Sequence, residues 1–293
     1  MIKKMFFAIL AIGIFTTSCS NDDDGPTTAG LTLNLTGLEE LGSDYVYEGW
    51  IIVNGAPVST GTFTSVTFPQ IFNVDATQLA NATKFVLSIE PAVDPNPEPA
   101  PTKILAGDFS GSSAAVDSNG IVADFSGASG KYILATPTDT DDTNEASGVW
   151  FLDNTNAPPP VAGLTLPLLP DGWKYEGWAV IGGTPISTGT FTKVAATDDA
   201  APYSGLVALP APNGADGFFP GEDFLQGAPA GTTFPTDLKG ATIVISVEPS
   251  PDNSAAPFTL KPLAHVVPGN AANHTVIDMG AGPVVSLSGT VSR

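Results

Sequence analysis

"YEGWIIVNGAPVSTGTFT" occupies Tyr47 to Thr64, and "YEGWAVIGGTPISTGTFT" occupies Tyr175 to Thr192. The two stretches agree at 12 of 18 positions and lie 128 residues apart, so the chain carries an internal repeat. Each stretch reads as a β-hairpin. "YEGWIIV" is one strand, Asn54-Gly55 accepts the positive φ of a two-residue turn, and "PVSTGTFT" returns. In the second copy Gly182-Gly183 supplies the turn, so the turn chemistry is kept while the residues change. On the first strand Trp50 shares a face with Glu48 and Ile52 and opposes Tyr47, Ile51 and Val53.

Further matches flank the hairpins. "GLTLNL" (Gly30 to Leu35) and "GLTLPL" (Gly163 to Leu168) place three leucines on one face of a strand before each hairpin. "FVLSIEP" (Phe85 to Pro91) and "IVISVEP" (Ile243 to Pro249) alternate after it, and proline ends both. The offset grows from 128 to 158 between these matches, which places a loop insertion rich in Gly and Pro near 198–236 of the second copy. Ser129 to Asp153 reads as a hairpin closing the first unit. "NAPPPVAG" (Asn156 to Gly163) reads as a stiff linker, and "HTVIDM" and "PVVSLSGTVSR" as closing strands of the second unit. The expected fold is all-β: two tandem β-sandwiches over 30–157 and 158–293.

The N-terminus reads as an address. Lys3 and Lys4 precede an apolar run from Met5 to Phe15, shorter than the roughly 20 residues a membrane span needs. Cys19, the sole cysteine, follows at the end of the stretch. The arrangement resembles a lipoprotein signal peptide (1–18) of the Bacteroidetes type, with Cys19 as the lipidated residue and a membrane anchor as the implied partner. Asp22, Asp23 and Asp24 lie in the acidic tether 19–29. Behind a lipidated cysteine that run resembles a signal for the outer face of the outer membrane. The expected location is an outer membrane lipoprotein at the cell surface, with the periplasmic face as the alternative.

Composition narrows the partners. The chain holds 30 acidic against 10 basic residues, a formal charge of −20. Without Lys3 and Lys4, 8 basic residues face the 30 acidic ones and the charge is −22. Such a chain repels nucleic acid and anionic headgroups. With one cysteine no internal disulfide forms, so packing alone must hold the cores.

Candidate chemistry is sparse. Glu48 with Glu90, and Glu176 with Glu248, are paired carboxylates that acid–base work on a glycoside could use. Their strand positions fit acceptors of backbone hydrogen bonds better. His265 and His274 are expected at the surface, with no zinc or triad partners, and no cofactor or metal site is expected. The acidic loop Asp139, Asp141, Asp142, Asn144 and Glu145 reads as a solvated hairpin tip, with weak calcium binding as the alternative. Trp50 and Trp178 are expected in the core, the other reading being a platform for a sugar ring. For partner or ligand contact the insertion offers Tyr203, Phe218, Phe219 and Phe224, unless these rings tuck the loop onto its own sandwich.

The order "YEGW…GxPVSTGTF…FVLSIEP…TKILAG" resembles the extracytoplasmic C-terminal domain of anti-sigma-K factors, along most of Leu31 to Phe109 and again in the second copy. The resemblance implies an Ig-like β-sandwich, usually the sensing end of a membrane-spanning regulator. A chain anchored outside the cytoplasm has no access to a sigma factor, so no sigma factor contact is expected. The expected function is a non-enzymatic, lipid-anchored cell-envelope protein, a binding, sensing or structural module with an envelope protein or glycan as partner. The alternative is a glycan-binding accessory lipoprotein of a polysaccharide-uptake system.

Overall fold

The computed structural model describes residues 27–156, 158–205, 219–252 and 254–293. Cys19, Asp22 to Asp24 and Phe218 lie outside the described residues. The first copy runs β1 (Thr28–Thr36), β2 (Tyr45–Val53), β3 (Ala56–Phe63), β4 (Gln70–Asp75), helix α1 (Ala76–Asn81), β5 (Ala82–Pro91), β6 (Lys103–Asp108) and β7 (Ser113–Asp117). Short strands follow: β8 (Lys131–Tyr132), β9 (Val149–Trp150), β10 (Leu152–Asp153) and β11 (Val161–Ala162). The second copy has β12 (Trp173–Ile181), β13 (Thr184–Phe191), β14 (Gly221–Glu222), β15 (Thr242–Pro249), β16 (Lys261–Val266), β17 (Ile277–Asp278) and β18 (Gly280–Val284). The last strand is β19 (Ser288–Ser292). The protein is nearly all-β, as its alternation and turn residues dictate.

The repeat in sequence is a repeat in topology. One sheet runs β3-β2-β5-β6-β7 and continues through β19-β1-β4, and the other runs β13-β12-β15-β16-β18. Asn54 and Gly55 have φ of 52° and 82°, and Gly182 and Gly183 have 59° and 90°, so both hairpins use the expected turn. Each first strand bulges at the same place, after Gly49 and after Gly177. A β-carbon on Gly49 would collide with the Thr60 hydroxyl and reach the Phe85 ring at 3.2 Å. One on Gly177 would meet Thr188 and the Phe151 ring in the same way. Glycine is required there because a ring crosses the strand.

In the first copy hydrogen bonds join all eight strands into one curled sheet, where two facing sheets were expected. Twist brings its edge strands together, with Phe63 on β3 and Phe72 on β4 at 5.6 Å. Leu31, Leu33 and Leu35 line its interior as the alternation predicts. The matching stretch of the second copy departs from expectation. Leu164 is buried but Leu168 is 88% exposed, and the segment, which follows β11, forms only a bridge from Thr165 to Ser129. Pro167 stands where Asn34 pairs with Thr290, and proline has no N–H for a ladder.

Two assignments of closing strands are corrected. The hairpin within Ser129 to Asp153 exists, with Ile133 and Trp150 exchanging backbone bonds of 2.9 and 3.0 Å. It joins the second copy, however: β8 pairs with β17, β9 with β14, and β10 with β11. Phe151 explains the change, because it fills against Gly177 the space that Phe85 fills against Gly49, where the second copy has the smaller Ile243. The C-terminus divides. β18 completes the second sheet, and β19 crosses back to lie between β1 and β7 of the first. Arg293 then donates to the Ala82 carbonyl at 2.8 Å and to that of Leu79, satisfying carbonyls at the end of α1, with its guanidinium 4.5 Å from the Phe109 ring centre.

Because β19 closes the first sheet, Val291→Ala should cost about 2 kcal/mol through lost burial alone. Removing Ser288 to Arg293 should speed amide exchange in β1 and β7 while β12 and β15 stay protected. Unchanged exchange in β1 and β7 would refute the assignment of β19 to that sheet.

Candidate functional site

The outer face of each repeated strand pair carries the motif residues that the core does not use. Trp50 Nε1 donates to Ser88 Oγ at 2.8 Å, Ser88 donates to Glu90 Oε1, and the same oxygen accepts the Ala100 N–H at 2.8 Å. In the second copy Trp178 Nε1 donates to Ser246 at 2.7 Å, Ser246 donates to Glu248, and Glu248 Oε1 accepts the Phe258 N–H at 2.9 Å. Ser59 donates to Glu48, and Ser187 to Glu176. On the inner face Tyr47 and Tyr175 reach the carbonyls of Glu39 and Pro167 at 2.8 and 2.6 Å. Tyr47, Glu48, Trp50 and Ser59, and their counterparts Tyr175, Glu176, Trp178 and Ser187, thus each have a structural partner, Trp50 and Trp178 are buried, and the hydroxyls of Thr60 and Thr188 are buried without one. Glu90 and Glu248 are backbone acceptors, as their strand positions predict.

The copies differ in how tightly this face is closed. In the first, Glu48, Trp50, Glu90 and Asp94 line an open cleft of about 400 Å³. In the second, Glu176 and Glu248 are both buried, and Asp252 approaches them from the following turn. Burial pushes the Glu176 carboxyl up to about 7, and Asp252 adds repulsion. Burial pushes Glu248 up to about 8, opposed by the Ser246 and Phe258 donors and reinforced by Asp252 and Glu176. A larger cleft of about 650 Å³ lies where the copies meet, lined by Glu39, Asp44 and Tyr45 from one side and Pro251, Asp252 and Phe258 from the other.

Of the aromatics offered for partner contact, Phe219 and Phe224 turn inward. Phe224 is fully buried and Phe219 nearly so. Tyr203 stacks on Phe224 at 5.9 Å and meets Phe234 edge-on at 5.3 Å, so these rings fasten the insertion to its own copy. Sequence reasoning missed the carboxylates that anchor it. Glu222 accepts the Tyr203 N–H at 3.1 Å and the Ser204 hydroxyl, Asp223 accepts Trp150 Nε1 at 2.7 Å, and Asp198 accepts the Gly221 N–H at 3.0 Å. Nothing in the local pattern "PGEDF" distinguishes these acids from solvated ones. His274 is exposed beside Glu145 at 3.2 Å, whereas His265 is half-buried against the Tyr132 hydroxyl at 2.9 Å. In the acidic loop Asp139 accepts from Asn144, Asp141 from Thr143, and Glu145 from the Thr136 N–H. Asp139, Asp141 and Glu145 thus serve the loop's own backbone and side chains. Among the described residues no helix is long and apolar enough to cross a membrane.

The family model described as "Anti-sigma-K factor rskA, C-terminal" matches residues 24–104, which include the whole Trp50–Ser88–Glu90 relay. Over these residues the first copy is similar to the C-terminal domain of that family. No curated protein and no solved structure matches the chain.

Ser88→Ala and Ser246→Ala each leave a buried indole N–H and a carboxyl without their shared partner, so each should cost about 1–3 kcal/mol by denaturant unfolding. A neutral result in either copy would deny the relay a structural role there. A pH effect follows from Asp198, which burial raises from 3.8 to about 8. The folded state holds that proton more tightly, so this contribution is complete below pH 4 and is lost as pH rises towards 8. Asp198→Asn should flatten the decline in stability across this range, and an unaltered pH profile would contradict the assignment.

Proposed function

We propose that this protein is a non-enzymatic, lipid-anchored component of the cell envelope, in which two anti-sigma-K-like units form a binding, sensing or structural module. The observation that carries this reading is the doubled relay. The Trp, Ser and Glu of the relay hold strands and loops in both copies, so the repeat is a scaffold, and the surface the two copies build jointly is the cleft between them. The junction at Cys19 supports an outer membrane anchor, the tether of Asp22 to Asp24 supports the cell surface, and the charge of −20 disfavours nucleic acid. A lipid-anchored module on that side of the membrane has no route to a sigma factor, so the ligand is an envelope protein or glycan. A glycan-binding accessory role in polysaccharide uptake is the second reading. Tyr45 favours it, because its half-buried ring lies in the cleft with Asp44 and Asp252 beside it, an aromatic face with carboxylates of the kind sugars bind.

Cys19→Ala should abolish fatty-acid labelling and move the protein from the membrane fraction to the soluble one. A Cys19→Ala chain that remains membrane-bound would sink the anchor. Binding of soluble envelope polysaccharides that Tyr45→Ala abolishes would select the glycan reading over the protein one.

A further inference from the structure

Glu176 on β12 and Glu248 on β15 lie on the same face of adjacent, paired strands. One oxygen of each is committed: Glu176 Oε1 accepts from Ser187, and Glu248 Oε1 accepts from Ser246 and the Phe258 N–H. The other oxygen of each, Oε2, is fully buried and has no hydrogen-bond partner. Glu176 is 6% exposed and Glu248 1%. A buried carboxylate oxygen without a donor is a rare arrangement that calls for a water or an ion, and here two occur side by side. Asp252, in the turn that follows β15, brings a third carboxylate, and one oxygen from each of the three lies within 4.8 Å of the others. Among the described residues this is the only trio of His, Cys, Asp or Glu gathered so closely. Lys261 is the basic side chain whose charge reaches Glu248, but its Nζ donates to the Phe258 carbonyl at 2.6 Å and it also faces Glu39. It does not fill the space between the Oε2 atoms.

We propose that Glu176, Glu248 and Asp252 form a binding site for a hard divalent cation, Ca²⁺, which ties the turn after β15 to the sheet at the edge of the cleft between the copies. Carboxylate oxygens alone exclude the soft and imidazole-preferring metals. Ca²⁺ takes about 6–8 oxygen ligands in a flexible shell, which suits carboxylates gathered from two strands and a turn. Mg²⁺ demands a near-ideal octahedron and gives up its waters reluctantly, so an all-protein carboxylate trio suits it less. Water from the cleft completes the shell. The first copy has the same residue types at the matching positions, Glu48, Glu90 and Asp94, but Glu48 is only half-buried, neither glutamate leaves a fully buried oxygen without a partner, and the cleft there is open. That copy is an internal control. The inference does not depend on the lipid anchor, since it concerns the folded chain alone.

The test uses the Cys19→Ala chain stripped with chelator. Calorimetric titration with Ca²⁺ should show one site, and saturation should raise Tm on the order of 5 °C. Tb³⁺ should luminesce on excitation of Trp178, whose indole is joined to Glu248 through Ser246. Glu176→Gln and Glu248→Gln keep the committed acceptor oxygen and should weaken Ca²⁺ binding at least tenfold. Asp252→Asn, nearer the surface, should do the same without disturbing the fold, and Glu48→Gln should change nothing. Absence of heat, thermal shift and luminescence up to about 10 mM ion overturns the proposal, since that exceeds the range of weak extracellular sites. Ca²⁺ binding that survives all three substitutions places the ion elsewhere and overturns it equally.

Discussion

Burying a tryptophan N–H without an acceptor is costly, and at Trp50 and Trp178 meeting that cost organises the outer face of the sheet. The indole of Trp50 or Trp178 gives its proton to a serine on the neighbouring strand, and the serine gives its own to a glutamate two residues on. The glutamate takes the N–H of the returning Pro-rich loop, at Ala100 or Phe258. Lys103 and Lys261 then donate to the carbonyls of those same loop residues, at 3.0 and 2.6 Å. One relay therefore fixes the pairing of two strands, the path of the loop between them and the start of the next strand. Each member would be costly to bury alone, and of the relay groups in the two copies only Glu248 Oε2 is buried without a partner.

The route of the chain has consequences beyond either sheet. The second copy is laid down before the first is complete, and β19 supplies the missing strand at the end. Thr36 bonds the Ser288 carbonyl across 252 residues of sequence at 3.0 Å. Pairings of such separation are slow to form, because the loop must close before the contact rewards it. They also hold the copies together. Ser118 and Leu287 exchange bonds of 3.0 and 2.9 Å, and Thr259 reaches the Gly37 carbonyl at 2.8 Å. The cleft between the copies is thus walled by segments tied at several points, and Asp252 belongs both to its rim and to the carboxylate trio.

The hairpins, the Glu-Pro strands and the insertion were all legible in the sequence. So was the structural role of Glu90 and Glu248. These depend on alternation, turn residues and spacing, which act over a few residues and repeat between copies. The carboxylate trio was half legible: Glu176 and Glu248 stood out by their recurrence, but Asp252 is drawn in only by the turn after Pro249. The aromatics of the insertion allowed two readings, because a ring amid Gly and Pro has the same local pattern whether it faces solvent or a core.

What the sequence determined by itself is the set of strands, their turns and the fact of duplication. Which sheet each closing strand joins was decided only by the tertiary structure. An unpaired sheet edge accepts any strand whose side chains suit its faces, and backbone donors and acceptors carry no address. β19 went to the first sheet because β1 and β7 left a gap there that Val291 fills without exposure. The hairpin holding Phe151 went to the second because Ile243 left room beside Gly177 for a larger ring.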